Sequence, residues 1–168
     1  GMKRRDMFIG IAVVGALMGN TLVLAQSGDA TPSPLTGRDY EEIKELYARY
    51  NQGSDFRDAE LFLSAFAEDA VMTRGGRDIV GMDALRAERA ERYQGQTGDA
   101  GRRHVNGSFL ITPTADGGAT ARTYYLLLDV TTRPPTLTSS GYYEDVFTRT
   151  PGGWRIKHRT LHGDGPGR

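Results

Sequence analysis

The sequence predicts an α+β domain in which three N-terminal helices pack on one face of a curved antiparallel sheet that encloses a pocket. Three observations predict it. Apolar residues recur at helical spacing in the first part of the domain, from Tyr40 to Phe66, and period two takes over from Arg102 onward. Glycine-rich turns separate the later segments, among the 22 glycines of the chain. Hydrophobic residues make up 38% and charged residues 25% of 168, which suits one ordered core. Strands of ten or more residues must curl, and a curled sheet backed by helices encloses a pocket.

The chain opens on an address. Gly1 before Met2 reads as the remnant of a removed tag. Residues 1–25 are expected to be a signal peptide: Lys3, Arg4 and Arg5 precede the uncharged run Met7 to Ala25, and Val23-Leu24-Ala25 suits cleavage after Ala25. Lys3 to Ile9 also resembles a twin-arginine export signal. The expected location is therefore exported, periplasmic or secreted, with no stable membrane insertion once the signal is cleaved. The alternative is an uncleaved N-terminal membrane anchor, because the run approaches a bilayer-spanning length. Residues 26–36, rich in Pro, Ser, Gly and Thr, are a flexible linker. The domain occupies residues 37–163, and residues 164–168 form a tail.

Within the domain, Thr36 to Asp39 has capping-box spacing with Asp in place of Glu or Gln. Tyr40, Ile43, Leu46, Tyr47 and Tyr50 then make an amphipathic helix over 37–52, ended by Gly53-Ser54. Asp58 can cap a second helix that buries Leu61, Phe62, Ala65 and Phe66. Ala70–Thr73 and Asp78–Gly81 read as short strands around a turn at 74–77. Met82–Tyr93, rich in Ala, Arg and Glu, is the third helix. Four strands follow: Arg102–Pro113, Ala119–Thr131, Leu137–Thr150 and Trp154–His162.

Composition narrows the chemistry. Lys+Arg and Asp+Glu are both 21, so the chain lacks the excess positive charge of a nucleic-acid binder. Cysteine is absent, which removes disulfides, thiolate metal sites and cysteine nucleophiles. The three histidines lack metal-ligand spacing, and no GxGxxG, Walker, HExxH or GxSxG motif occurs, so neither a metal nor a cofactor is expected.

His104 is the candidate base. It shares a strand face with Asn106, Ser108 and Leu110, and that row either faces solvent or lines a polar cavity. Asp55 either caps a helix, with Asp58 three residues on, or partners His104. A carboxylate holding one ring nitrogen fixes the tautomer and frees the other nitrogen to take a proton, and histidine ordinarily titrates near roughly 6.5. Nothing in the spacing shows that the two meet. A tyrosine hydroxyl inside a pocket can orient a substrate, although most tyrosines only bury their rings.

Four segments together resemble a known family. LYARYNQGSDFRDAELFLSAFAEDAVM (Leu46–Met72), GMDALRA (Gly81–Ala87), RRHVNGSFLITP (Arg102–Pro113) and SGYYEDVFTRTPGGWRIKHR (Ser140–Arg159) resemble, in order and spacing, the SnoaL-like branch of the NTF2-like superfamily. The resemblance spans nearly all of 37–163 and implies a cone-shaped NTF2-like barrel with a deep pocket. It implies cofactor-free proton chemistry, as in scytalone dehydratase, hexachlorocyclohexane dehydrochlorinase, ketosteroid isomerase and polyketide cyclases. It also implies that Asp55 and His104 stand where the dehydratase and dehydrochlorinase carry a paired aspartate and histidine.

Two departures count against dehydratase-type water elimination. Ser139 to Tyr142 holds no second histidine, and Ser54 stands where the dehydratase has a tyrosine. The expected function is a cofactor-free lyase or isomerase that abstracts a proton from a small hydrophobic or aromatic molecule. His104 and Asp55 would be catalytic, and Tyr50, Asn106, Tyr124 and Tyr142 substrate-binding. The alternative is a non-catalytic exported module that binds a small molecule or self-associates. A homodimer is expected, because sheet-to-sheet dimers are common in the resembled superfamily.

Overall fold

The computed structural model describes residues 32–165. The expected signal peptide, most of the linker and the end of the tail lie outside the described residues. Helix α1 spans Gly37–Asp55 and helix α2 spans Ala59–Leu63. Strands β1 (Phe66–Arg74) and β2 (Arg77–Val80) form a hairpin before helix α3 (Met82–Tyr93). The long strands are β3 (Arg102–Pro113), β4 (Ala119–Asp129), β5 (Thr136–Thr150) and β6 (Gly153–Gly163).

Local chemistry explains the helix ends. Thr36 Oγ1 accepts from the Asp39 amide, and Asp39 Oδ2 accepts from the Thr36 amide at 2.8 Å, so the expected capping box is formed. Asp39 also receives the Trp154 indole N–H at 2.9 Å, which ties the start of α1 to β6. These donors, the indole first, hold the Asp39 carboxyl well below the usual carboxylate range. Asp58 caps α2 by accepting from the Leu61 amide at 2.9 Å.

Helix α1 does not stop at Gly53-Ser54 as predicted but continues to Asp55. Gly53 is there for room rather than for a turn. A Cβ on Gly53 would lie 2.4 Å from the Phe62 backbone nitrogen, so only glycine lets α2 cross this closely. The extra turn matters, because it carries Asp55 onto the buried side of α1.

The six strands run in the order β2-β1-β6-β5-β4-β3. The sheet is not antiparallel throughout, as the sequence suggested, because β1 lies parallel to β6. These two strands come from opposite ends of the domain, and parallel neighbours need long connections; here α3 and four further strands supply one. The inner face meets the helices over a core of Ile43, Leu46, Tyr47, Tyr50, Phe62 and Tyr143, among others.

Two bulges decide which side chains face inward. Between Gly107 and Leu110 the register of β3 against β4 shifts, and Ser108 adopts φ 55°. The strict period-two reading had put Phe109 and Ile111 opposite His104. The bulge instead carries Phe109 inward, edge-on to the Tyr47 ring at 5.1 Å, and turns Leu110 out. A second shift, between Val146 and Phe147 against β6, brings Arg159 opposite Asp145 on the inner face.

The outer sheet face meets solvent. Leu110 is 68% and Tyr124 is 58% exposed there, with Leu126 and Val146 beside them. Arg122 donates to Glu144 at 2.6 Å, and the Tyr142 ring stacks on His162 with centroids 4.5 Å apart.

Candidate active site

The end of α1 and the start of β3 are fastened together by backbone. The Ala100 amide donates to the Asp55 carbonyl at 2.7 Å, and the Tyr93 hydroxyl donates to the Gly53 carbonyl at 2.9 Å. Arg57, at φ 55°, donates from its guanidinium to the Asp99 carbonyl at 2.7 Å. Gly101 turns the chain into β3 at φ 69°, where a Cβ would lie 2.6 Å from a Thr131 methyl. These contacts bring residues 49 apart in sequence into one site.

Asp55 and His104 meet there. Asp55 Oδ1 and His104 Nδ1 are 2.6 Å apart, and Asp55 Oδ2 accepts the His104 backbone N–H at 2.8 Å. An ionised carboxylate only accepts, so it takes the proton on Nδ1 and leaves Nε2 as the basic nitrogen. Asp55 is buried, whereas the imidazole retains 12% of its exposure. His104 and Asn106 therefore face inward, whereas Ser108 and Leu110, at and beyond the bulge, are exposed; Asp58, not Asp55, caps α2.

The four tyrosine and asparagine candidates divide. Tyr50 is buried and stands edge-on to the imidazole, with ring centroids 6.3 Å apart. Asn106 also faces inward, but its Oδ1 accepts from Asn51 Nδ2 at 2.5 Å and its Nδ2 donates to the Tyr124 carbonyl at 3.1 Å. Its amide thus ties β3 to α1 and β4. Tyr124 and Tyr142 pair with each other in register on the outer face, so they do not join His104. The error has a simple cause: their neighbours Tyr125 and Tyr143 hold the inward positions, and YY doublets give no phase on their own.

Period-two reading also missed a buried polar network beneath Tyr50. Arg159 is fully buried and donates from Nε and Nη2 to the two Asp145 oxygens, both at 2.8 Å. The Tyr47 hydroxyl donates to Asp145 Oδ2 at 2.5 Å and accepts from Thr123 at 3.0 Å. Burial pushes the Tyr47 hydroxyl well up, and the Asp145 charge adds to this. Arg159 Nη1 has no hydrogen-bond partner among the described residues. The guanidinium instead lies over the rings of Tyr47, Tyr50 and Tyr143 at 4.8, 4.3 and 4.3 Å. A signal for this pair was present: Asp145 falls between Tyr143 and Phe147 on an otherwise apolar phase.

Much of the space inside the curve is taken by aromatic rings. Tyr125 and Tyr143 stack at 4.9 Å, and Tyr50 meets Phe62 at 4.8 Å. Gly141 lies under the Tyr125 ring, where a Cβ would be 2.8 Å from Tyr125 Cε1 and 2.0 Å from the His162 carbonyl oxygen. No side chain fits at that inward position of β5. A hollow of about 630 Å³ opens beside Tyr125, bounded by Arg74, Tyr142, Leu161 and Gly163.

A family model described as a SnoaL-like domain matches residues 36–160. The chain belongs to the SnoaL-like family. Its NTF2-like, cystatin-like fold recurs in solved structures. A protein of unknown function from Nostoc punctiforme is 25% identical with a TM-score of 0.70, covering 80% of this chain and 97% of that one. An NTF2-like protein from Novosphingobium aromaticivorans is 27% identical with a TM-score of 0.64, over 77% and 84%. ActVI-ORFA of Streptomyces coelicolor, at 24% identity and TM-score 0.65 over 77% and 98%, shares the fold. No curated protein matches this SnoaL-like chain.

Proposed function

We propose that the protein is a cofactor-free enzyme that moves a proton next to a carbonyl group in a small hydrophobic or aromatic molecule. The observation that carries this reading is the bond between Asp55 and His104 Nδ1, which leaves Nε2 as the base. Nε2 takes the acidic C–H proton, and the electron pair moves onto the carbonyl oxygen. The imidazolium, held by Asp55, then returns the proton to the same carbon or, where a C=C is conjugated with the enolate, to the far carbon of that double bond as the electron pair leaves the oxygen and re-forms the C=O. Tyr50, edge-on to the imidazole, is the phenol beside the base, and its ring rests against the Arg159 guanidinium.

Isomerisation suits this site better than loss of water. A hydroxide leaving group needs its own acid, and Gly141 cannot carry one at the inward position of β5. A single base that both takes and gives the proton is enough for a 1,3-shift. The test is proton exchange in D2O with a panel of enolisable aromatic and alicyclic ketones, followed by NMR. Deuterium uptake should fall about 10²–10⁴-fold in His104→Ala, with the fold retained. Exchange that continues at the wild-type rate in that variant removes the reading.

Self-association through the outer sheet face is a second reading, favoured by Leu110, Tyr124, Leu126 and Val146 standing exposed on one surface. It is compatible with catalysis. Sedimentation should give about twice the monomer mass for the wild type, and Leu126→Asp should give the monomer. A monomeric wild type at every concentration tested rules this reading out.

A further inference from the structure

We infer that Arg102 is a positioning residue that shares the Asp55 carboxylate with His104 and so keeps the imidazole neutral and ready to accept a proton. The inference rests on the proton-transfer reading for its purpose, but its geometry stands apart from it. Arg102 precedes His104 by two residues on β3 and therefore lies on the same inner face. Its Nη2 donates to the Ser54 carbonyl at 3.0 Å and to Ser54 Oγ at 3.1 Å. That clamp aims Nε at Asp55 Oδ1, the oxygen bound to His104 Nδ1, at 3.7 Å. Arg102 Nε is buried and has no hydrogen-bond partner among the described residues, so its contact with Asp55 is one of charge. Burial opposes the charge on Arg102, and Asp55 in turn supports it.

The surroundings leave this pair in control. From α1 come Asp55 and Tyr50, and on β3 Arg102 and Arg103 flank the histidine. Arg103 pairs with Asp99 at 2.8 Å. On β4, Asp129 accepts from the Thr131 amide at 2.8 Å, and the Tyr125 ring stacks on Tyr143. On β5 and β6, Tyr143 is held protonated by burial and Arg159 is taken by Asp145. From α3, Arg89 pairs with Glu88, Arg92 does the same, and Tyr93 donates to Gly53. Among the described residues, Asp55 and Arg102 remain as the charges directed at the imidazole.

The consequence follows from charge. A buried carboxylate alone would draw a proton onto the ring and hold it there, and an imidazolium cannot serve as a base. Arg102 cancels the Asp55 charge at rest. The ring then accepts a proton only when substrate supplies both the proton and a compensating negative charge. Arginine suits the position because its guanidinium stays ionised when half-buried and its fork also holds Ser54.

The experiment is an NMR titration of the histidine Cε1 protons in the wild type, Arg102→Gln and Arg102→Lys. Gln keeps a donor for Ser54 without the charge, and Lys keeps the charge without the fork. The His104 midpoint should rise by about one pH unit or more in Arg102→Gln and stay within about 0.3 unit in Arg102→Lys. His158 and His162, on the outer face, should not move in either variant. A His104 midpoint unchanged in Arg102→Gln overturns the inference, as does an equal rise in Arg102→Lys. If Arg102→Gln does not fold, Arg102→Met replaces it. If no neutral variant folds, the Lys titration decides, with a matching midpoint supporting the inference and a raised one overturning it. Wild-type exchange in His104→Ala would remove the proton-transfer reading and leave this titration result standing. An unmoved midpoint alongside an inactive His104→Ala would do the reverse.

Discussion

Asp145→Asn should destabilise the protein by about 3–5 kcal/mol, measured by urea unfolding at neutral pH. Arg159 is completely buried, and Asp145 supplies the carboxylate that meets its Nε and Nη2. Asparagine could accept one of those two bonds but would turn an N–H toward the other donor. The charge would remain in the core without a counter-charge, and the Tyr47 hydroxyl would lose a charged acceptor. Domains of this size are commonly stable by only about 5–15 kcal/mol, so the loss is a large share of the whole. The tyrosine rings over Arg159 contribute, but cation–π contacts are worth about 1–2 kcal/mol each and do not replace the ion pair. The double variant Asp145→Leu/Arg159→Met should recover part of the loss, because removing both charges leaves no unpaired ion. A single-variant loss below about 1 kcal/mol would show that the pair does not hold the inner face together.

Asp55→Asn should lower proton-exchange activity about 10²–10⁴-fold while leaving the fold in place. The reason is the tautomer. The amide oxygen of asparagine can still accept the His104 backbone N–H. The amide nitrogen then faces Nδ1 and donates to it, so the ring proton moves to Nε2. The nitrogen that should take the substrate proton would already carry one. This can be read without any substrate. In ¹⁵N–¹H correlation spectra the wild-type His104 should show a protonated Nδ1, and Asp55→Asn a protonated Nε2. His158 and His162 should keep their wild-type patterns. An unchanged tautomer with unchanged exchange would mean that Asp55 only anchors β3 to α1.

These two expectations rest on residues that differed in how readable they were. His104 and Asp55 could be nominated because histidines are few and the aspartate falls in the junction between two helices. Their contact could not be read, since it depends on α1 running through Gly53 to Asp55 and on the Ala100–Asp55 backbone bond. Arg102 carried a visible cue, two residues from His104 on one strand face. That cue meant nothing until the face was known to point inward.

Element order, the Thr36 and Asp58 caps, helix α3 and the limits of β3 were fixed by local chemistry: cap residues, helical spacing, glycine turns and alternation all act over a few residues. Tertiary structure alone decided the parallel β1–β6 pairing, the inward turn of Arg159 and the outward turn of Tyr124 and Tyr142. Each depends on a bulge or on a neighbour far along the chain. A one-residue slip reverses every side chain beyond it, and alternation by itself holds no record of where the slip occurs.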